Sequence, residues 1–331
     1  LFNIFIKNGL LMKFWEINSE LEFNEFAIKT FKHQIKKNLI YRSYCEMLKI
    51  KNIEHYSQIP YLPIQFFKTH KIKSFVKKEK YIFRSSSINS DSKSEHLIFD
   101  ILNYKKSFYR CFNKFYGDPK NYIIIGLLPS YLERKDSSLI FMVDDLIKKT
   151  KNKFSGFYNN EFQKLLSTIN NLKKQKKTTI IIGVSFALMD LIEFKKIKLT
   201  NTIIMETGGM KGRRKEIIRK DLHEKLKKGF GVSQIHSEYG MTELLSQAYS
   251  KKNGLFECPP WMKVSVRDTT DPLKILSKNS SGAINIIDLA NQESCSFIAT
   301  EDLGRLKPNN TFEVIGRLDE SEIRGCNLMV Y

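Results

Sequence analysis

The chain has 331 residues, and its apolar content of 42% and aromatic content of 12% exclude a disordered protein. Its 44 Lys and 11 Arg outnumber 35 Asp and Glu and give a net charge of +20. Most of this charge is lysine, whereas arginine is the residue that binds phosphates and bases in a fixed geometry. A solvated lysine surface is therefore favoured over a nucleic-acid partner. No apolar run reaches the roughly 18 residues that a membrane-spanning helix needs, so none is predicted.

An N-terminal helical region that packs on a core is predicted over residues 1–80. Apolar residues recur at helical spacing through residues 14–57. Pro60 and Pro63 then end the pattern and begin an extended stretch. Farther along the chain, a strand, a polar loop and a helix are predicted in turn, at residues 81–83, 84–95 and 99–115.

After residue 120 the chain alternates between β-branched runs and helical patterns. Strands are predicted at residues 122–127, 178–184 and 202–205, and helices at 138–150, 162–173, 187–194 and 215–229. Continuous β-branched runs separated by helices are typical of a mostly parallel sheet with helices on both faces. Later elements are short and strand-like, at residues 264–266, 282–287, 296–299 and 312–315. We therefore predict an α/β fold, with a core over residues 81–262 and a small antiparallel β subdomain over residues 263–331.

The segment 237–243 reads Ser-Glu-Tyr-Gly-Met-Thr-Glu, follows a predicted strand over 231–236 and is expected to open a helix over 244–249. Its tyrosine could stack on a purine, because the adjacent glycine lets the backbone approach closely. A hydroxyl and a carboxylate at the start of a helix can meet a phosphate and its Mg²⁺. Taken alone, the segment is explained more simply as a polar turn between a strand and a helix.

Three further segments accompany this motif. A Gly-rich turn lies upstream at residues 205–212, and two polar segments lie downstream at residues 300–305 and 312–319. In order, spacing and residue type, the four segments resemble the adenylate-forming superfamily of acyl-CoA synthetases, peptide-synthetase adenylation domains and luciferases. Residues 128–139 and 323–327 resemble its acyl-protein synthetase branch, the fatty acid–luciferin-component ligases of bacterial bioluminescence, and phenylacetate-CoA ligases are the next nearest. The resemblance implies the large-domain fold of these enzymes, with mostly parallel sheets flanked by helices and a small β subdomain at the C-terminal end.

The resemblance also implies an ATP site in the core. Tyr239 would stack on adenine, and Gly208 and Gly209 would form the floor of the purine slot. Glu238 and Gly240 would lie beside that slot.

The remainder of the nucleotide would be held by residues of the same segments. Asp302 would accept hydrogen bonds from the ribose hydroxyls, as carboxylates do in other nucleotide folds, and Arg317 would lie near the ribose and phosphate. Thr242 would hydrogen-bond the α-phosphate and Glu243 would bind Mg²⁺. The implied reaction is attack of a carboxylic acid, in this branch a fatty acid, on the α-phosphate of ATP to give an acyl-adenylate and pyrophosphate. Transfer to a thiol, on an acyl-acceptor protein or an acyl carrier protein, would follow.

The phosphate loop departs from the family pattern Ser-Gly-Thr-Thr-Gly-x-Pro-Lys. Residues 86–93 read Ser-Ser-Ile-Asn-Ser-Asp-Ser-Lys, so Ser86 and Lys93 remain while both glycines and both threonines are replaced. A loop that holds pyrophosphate with backbone N–H groups needs the conformational freedom of glycine, which hydroxyls such as that of Ser87 replace only in part. Two interpretations stay open: a working loop that uses Ser86, Ser87 and Lys93, or a degraded loop in a catalytically lapsed homologue that binds a nucleotide or a partner.

The C-terminal end adds two expectations. Asp319 would mark the hinge to a small lid that carries a catalytic lysine, but the sequence ends at Tyr331 before such a lid, which another chain would then have to supply. Cys326, near the cation of Arg324, is a candidate acyl acceptor, although an inert cysteine fits that position as well.

The other cysteines and two histidines fit simpler roles. The five cysteines are scattered without a Cys-x-x-Cys pair, which disfavours a zinc site or a disulfide framework, and the N-terminus lacks the basic region of a signal peptide. We therefore expect a cytoplasmic protein. His96 follows the phosphate loop and His236 precedes the 237–243 motif, so either could approach the substrate, although a core histidine is favoured at both positions.

Overall fold

A computed structural model of the protein describes residues 5–7, 10–86, 93–129, 136–159, 161–172, 176–209 and 217–318. The described helices are α1 (Glu20–Lys37), α2 (Leu39–Met47), α3 (Phe66–Thr69), α4 (Ile101–Tyr116), α5 (Ser138–Thr150), α6 (Phe162–Leu172), α7 (Ser185–Phe194) and α8 (Arg219–Phe230). The described strands are β1 (Phe5–Lys7), β2 (Leu10–Met12), β3 (Leu62–Pro63), β4 (Tyr81–Arg84), β5 (Glu95–Ile98), β6 (Tyr122–Leu127), β7 (Gly156–Phe157), β8 (Thr178–Val184), β9 (Thr202–Thr207), β10 (Ile235–Tyr239), β11 (Ala248–Ser250), β12 (Met262–Arg267), β13 (Ser281–Asp288), β14 (Phe297–Leu306) and β15 (Phe312–Arg317).

Four of the described helices begin where the sequence supplies a capping side chain. Ser19, Asp100 and Ser137 each accept a hydrogen bond from a backbone N–H in the first turn of α1, α4 and α5. Asn38 separates α1 from α2 because its side chain accepts from the Tyr41 N–H and so caps a new helix. The single long helical pattern predicted over residues 14–57 is therefore divided.

The larger sheet has the strand order β11-β10-β9-β8-β6-β7 and is parallel except at β11. Its central strands are fully buried runs of isoleucine, such as Ile123–Ile125 in β6 and Ile180–Ile181 in β8. Strands buried on both faces carry such uninterrupted apolar runs. The predicted parallel sheet with flanking helices is confirmed.

The smaller sheet is antiparallel through β12-β13-β14-β15, and β3 adds to β14 in parallel. The N-terminal helices pack on this sheet: the Gln34 side chain donates to the Asn291 carbonyl oxygen at 3.0 Å, and the Tyr41 ring stacks on Phe297. The predicted division at residues 80 and 262 stays a prediction.

The segment after β10 differs from expectation, because the helix predicted over residues 244–249 is wrong. The chain turns and returns as β11, which pairs antiparallel with β10 and places Tyr239 opposite Ala248. The buried carboxylate of Asp288 accepts hydrogen bonds from the N–H groups of Leu245 and Ser246. Those donors are thus satisfied without a helical turn.

Candidate functional site

The predicted nucleoside end of the site lies where the two sheets meet. Tyr239 ends β10, and its hydroxyl donates to Oδ2 of Asp302 on β14 at 2.7 Å. The Tyr239 side chain is 7% exposed and its ring packs edge-on against Phe256 and Phe312, which stack on each other. Burial and the neighbouring carboxylate raise the pKa of Tyr239 well above its usual range, so the hydroxyl stays protonated and donates.

Asp302 lies under the influence of two guanidinium groups. Burial raises the pKa of its carboxyl, while the Tyr239 hydrogen bond and the charges of Arg317 and Arg219 act in the opposite direction. The pairing of β14 with β15 places Arg317 directly opposite Asp302. The Arg317 guanidinium donates to Oε2 of Glu301 at 3.0 Å. An acidic side chain and a neighbouring cation therefore face each other across the paired strands β14 and β15.

The floor of the nucleoside end follows β9. Gly208 has φ +64°, a left-handed conformation that favours glycine, and its carbonyl oxygen accepts from the Ser185 hydroxyl at 3.1 Å. Gly209 continues this turn. Glu238 is buried and accepts a hydrogen bond from the hydroxyl of Thr207, so this carboxylate faces β9. The residue after Tyr239, Gly240, is exposed and leaves the backbone accessible there.

The predicted phosphate end of the site comprises Thr242 and Glu243. The described residues on either side of the predicted phosphate loop, 85–86 and 93–94, complete it. Glu243 is 4% exposed, and burial raises the pKa of its carboxyl against a hydrogen bond with Ser94. The charges of Asp302 and Arg317 also act on Glu243, which links the two ends of the site. Within the described ranges, no group of three or more His, Cys, Asp or Glu side chains could hold a metal ion.

The base of the phosphate loop is closed by hydrogen bonds between its two sides. The Ser85 N–H donates to the Ser94 carbonyl oxygen at 3.1 Å, and the Ser94 N–H donates to the Ser85 hydroxyl at 3.0 Å. Ser86 is partly buried next to this closure and Lys93 is exposed. Ser87 lies outside the described residues, as do Asp319 and Cys326 at the C-terminal end.

His96 is a core residue that supports the phosphate end. It is 0% exposed, with Nδ1 2.7 Å from the Thr242 carbonyl oxygen and Nε2 3.0 Å from Oδ1 of Asn291. The Asn291 amide donates to the carbonyl oxygens of Glu243 and Cys295, which fixes Oδ1 toward His96. Burial lowers the pKa of His96 to about 4. The favoured interpretation, a core histidine, agrees with this geometry, but sequence reasoning missed its contact with the Thr242 backbone.

His236 is held differently. Its Nδ1 lies 3.0 Å from the Tyr116 hydroxyl, and burial together with the charge of Lys251 lowers the pKa of the ring to about 4. The ring packs against the aromatic ring of Tyr116. It is therefore engaged by α4 rather than directed at the phosphate end.

A buried polar cluster beneath the floor was also missed. Glu206, 1% exposed, lies with Oε1 3.5 Å from Nε of Arg219 and 3.4 Å from Nε2 of His223. Burial opposes ionisation of Glu206, but Arg219 and His223 hold the pKa of its carboxyl below the usual value. The sequence held a signal for this cluster, because Glu206 directly precedes the Thr207-Gly208-Gly209 turn. Burying a carboxylate there without a partner would cost free energy, so a partner is expected.

Solved structures show where this architecture recurs. The chain is similar to 2-hydroxyisobutyryl-CoA ligase in complex with 2-HIB-AMP, with a TM-score of 0.70 and 10% identity over 91% of this chain and 68% of that one. It is similar to ATP-bound MatB from Rhodopseudomonas palustris, with a TM-score of 0.54 and 15% identity over 71% of this chain and 47% of that one. It is also similar to O-succinylbenzoate coenzyme A synthetase (MenE) from Bacillus subtilis with ATP and magnesium ion, with a TM-score of 0.50 and 17% identity over 74% and 51%. These likenesses show the adenylate-forming fold.

The chain spans about half the length of MatB, at 47%. No curated protein matches the sequence. In the part of the chain that the structure describes, no helix is long and apolar enough to cross a membrane. A profile of the acyl-protein synthetase family LuxE matches residues 12–331. The chain therefore belongs to the LuxE acyl-protein synthetase family.

Proposed function

We propose that this protein activates a carboxylic acid with ATP and passes the acyl group to a thiol. A carboxylate oxygen attacks the α-phosphorus of ATP, the bond to the β-phosphate breaks, and pyrophosphate leaves with the electron pair. A thiolate then attacks the acyl carbonyl and AMP leaves. The observation that carries the proposal is the contact between Tyr239 and Asp302, beside Thr242 and Glu243, at one corner of an adenylate-forming fold.

The nucleoside end would bind adenosine. Adenine would stack on the remaining surface of the Tyr239 ring above Gly208 and Gly209, because aromatic faces and bare backbone suit a flat base. The ribose hydroxyls would compete with the Tyr239 hydroxyl for the Asp302 carboxylate. Arg317 would reach toward the ribose and α-phosphate from the neighbouring strand.

The phosphate end would hold the triphosphate. Thr242 would donate its hydroxyl to the α-phosphate, and Ser86, Ser87 and Lys93 would contact the β- and γ-phosphates. Glu243 suits Mg²⁺, since this ion is commonly bound by one or two carboxylates together with phosphate oxygens and water. When bound, Mg²⁺ would neutralise charge on the phosphates. The hydrogen bond with Ser94 would hold the Glu243 side chain in place for that role.

The proposal also names a class of acid and an acyl acceptor. Membership in the acyl-protein synthetase family supports a fatty acid as substrate and transfer to a cysteine, either Cys326 or the thiol of an acyl carrier protein, in the cytoplasm. Acylation of Cys326 by a radiolabelled fatty acid and ATP, compared between the wild type and Cys326→Ser, tests self-acylation directly.

Acid-dependent exchange of radiolabelled pyrophosphate into ATP tests the activation step. A panel of carboxylic acids of increasing chain length should reveal exchange with at least one acid, and omission of acid or Mg²⁺ should abolish it. Absence of exchange with every acid, while ATP or AMP still binds, would contradict the enzyme proposal and support the second candidate.

That second candidate is a lapsed homologue that binds a nucleotide without turnover. The replacement of both loop glycines favours it, because the backbone of residues 86–93 loses conformations that a pyrophosphate cradle uses. The nucleoside end depends on none of those residues, so binding would survive.

A further inference from the structure

Helix α4 exposes a face that carries cations and no carboxylates. The sequence of this helix contains no Asp or Glu. Lys106, Arg110 and Lys114 are all exposed and follow one another at the i, i+4 spacing that places side chains on one side of a helix. Like charges at this spacing destabilise a helix, so the isolated protein gains nothing from their arrangement. We call these three residues the basic face.

The basic face extends to the partly buried ring of Trp15. Nζ of Lys13 lies 5.4 Å and Nζ of Lys106 lies 5.3 Å from the centroid of this ring. The guanidinium of Arg110 lies 4.9 Å from the same centroid. Cations gathered at one ring lie within roughly a Debye length, about 10 Å, of one another and therefore repel. Glu16, the carboxylate nearest in sequence, accepts from the backbone N–H of Lys13.

The cations of the basic face also lack carboxylate partners on neighbouring elements. Among the described residues, no ion pair includes Lys13 or a residue of the basic face. By contrast, Lys105 of the same helix pairs with Asp145 of α5 at 2.9 Å. Lysines of α6 and α8 pair with carboxylates three residues away, at 2.8 and 3.0 Å. A general excess of lysine predicts such mixed charges on every helix, so it does not explain this face.

The chemistry of the basic face favours an acidic helical protein as its occupant. Cations one turn apart on a helix match carboxylates at the same spacing on a second helix. An anionic membrane surface would bind more firmly if apolar side chains could insert, but Leu102 is the one large apolar residue exposed on α4, all of which the structure describes. A nucleic acid would be held better by arginine, and only one cation of the face is an arginine.

We propose that the basic face of α4, together with Lys13, is the docking surface for an acidic acyl carrier protein, a helical protein that bears a phosphopantetheine thiol. This inference rests on the proposed function for the role of that thiol as acyl acceptor. The inner side of α4 packs on the segment that follows Glu243, where Oγ of Ser107 lies 2.9 Å from Oγ of Ser246. A carrier bound to α4 would thus be held against the element that supports the phosphate end.

Fluorescence anisotropy of a labelled acyl carrier protein in its phosphopantetheine form, titrated with the full chain, tests the docking. Lys106→Glu combined with Arg110→Glu should weaken binding on the order of tenfold or more, because two attractions become repulsions. The matched control combines Lys32→Glu with Lys36→Glu, two exposed lysines of α1 with the same spacing, and changes the net charge equally. The control should bind the carrier within about twofold of the wild type, since distant charges are screened by salt.

Four outcomes of this titration would overturn the proposal. They are no carrier binding by the wild type, no loss in the basic-face variant, an equal loss in both double variants, and a basic-face variant that loses binding of labelled RNA or of phosphatidylglycerol vesicles while it keeps the carrier. If the double reversal does not fold, Lys114→Glu tests the same face and should weaken carrier binding by about threefold. Unchanged binding in that variant contradicts the docking as well.

Acid-dependent pyrophosphate exchange separates the docking from the proposed function. The basic-face variant should keep wild-type exchange, because neither side chain belongs to the candidate site, while its KM for the carrier in acyl transfer should rise. A parallel loss of exchange would show that the substitutions act on the site and not on docking. If the wild type shows no exchange, the proposed function fails, and the anisotropy titration still decides whether the carrier docks on α4.

Discussion

The nucleoside end and the phosphate end of the candidate site are built by different means. The nucleoside end is made of side chains on strand ends, with Tyr239 on β10 and Asp302 on β14 joined by a hydrogen bond. The phosphate end depends on a loop whose two sides are closed by Ser85 and Ser94, beside a turn held by His96. A site whose base-binding part lies in two sheets can keep nucleotide affinity while its loop changes. On the proposed function, we therefore expect binding and turnover to be separable.

The largest effect is expected from Glu243→Gln. The substitution keeps the shape of the side chain but removes the charge that would hold Mg²⁺, so acid-dependent pyrophosphate exchange should fall on the order of 100-fold. AMP affinity, measured by calorimetry, should remain within about twofold, because binding of the nucleoside needs no metal ion. An equal loss of AMP affinity would contradict the separation of the two ends.

Tyr239→Ala should act on the opposite end. Loss of a stacking ring costs about 1–3 kcal/mol per base, so AMP and ATP should both bind roughly 10–100-fold more weakly. Tyr239→Phe keeps the ring and loses only the hydrogen bond to Asp302, and should bind AMP as well as or better than the wild type, because the ribose no longer competes for that carboxylate. Unchanged affinity in Tyr239→Ala would show that the base does not stack on this ring.

His96→Gln should weaken both turnover and the fold. A side chain that leaves a buried acceptor unsatisfied costs about 1–3 kcal/mol, which urea unfolding can measure. Exchange should fall through kcat more than KM, because the backbone of Thr242 loses its support. His236→Gln is the matched control and should retain kcat, since that ring contacts Tyr116 instead.

The same histidine predicts a pH dependence of stability. The pKa of His96 is lowered from 6.5 to about 4. Between these two pH values His96 is protonated in the unfolded chain but stays neutral in the folded protein. The free energy of unfolding should therefore fall as the pH drops from about 6.5 toward 4, and the slope should be shallower in His96→Gln. Equal slopes in the two proteins would show that His96 titrates normally in the fold.

Lys93→Met should have the smallest effect and should distinguish ATP from AMP. An exposed lysine contributes at most about 1 kcal/mol to an ion pair, so ATP affinity should fall by roughly fivefold or less. AMP affinity should not change, because AMP lacks the β- and γ-phosphates. Calorimetry at two salt concentrations should show a weaker salt dependence of ATP binding in the variant.

Much of the fold could be predicted because its signals are local. The isoleucine runs of β6 and β8 must be buried away from water, and buried strands accommodate them well. The helical patterns that separate these runs indicate a parallel sheet. The helix predicted after Glu243 failed for a nonlocal reason, since Asp288 satisfies the N–H groups of Leu245 and Ser246 from 42 or more residues away. Periodicity contains no information about such a partner.

The candidate site divides in the same way. The motif residues Tyr239 and Asp302 were found through their order in the sequence, but their contact joins strands of two different sheets and follows from no strand pairing. The supporting residues were missed because each acts at a distance: Asn291 reaches the Glu243 carbonyl 48 residues away, and His96 reaches Thr242 across 146. A lone histidine or asparagine in a sequence carries no sign of which backbone oxygen it will meet.

The parallel pairing of β3 with β14 has a consequence for synthesis of the protein. Gln65, just after β3, donates its side-chain amide to Glu301 on β14, across 236 residues of sequence. At about 5–20 residues per second, a ribosome takes roughly 10–50 s to make the chain between them. Throughout that interval α1 and α2 have emerged without the sheet that covers their apolar faces. The apolar faces of α1 and α2 therefore stay uncovered until the strand that carries Asp302 has been made. Such early exposure makes these faces sites for chaperone contact.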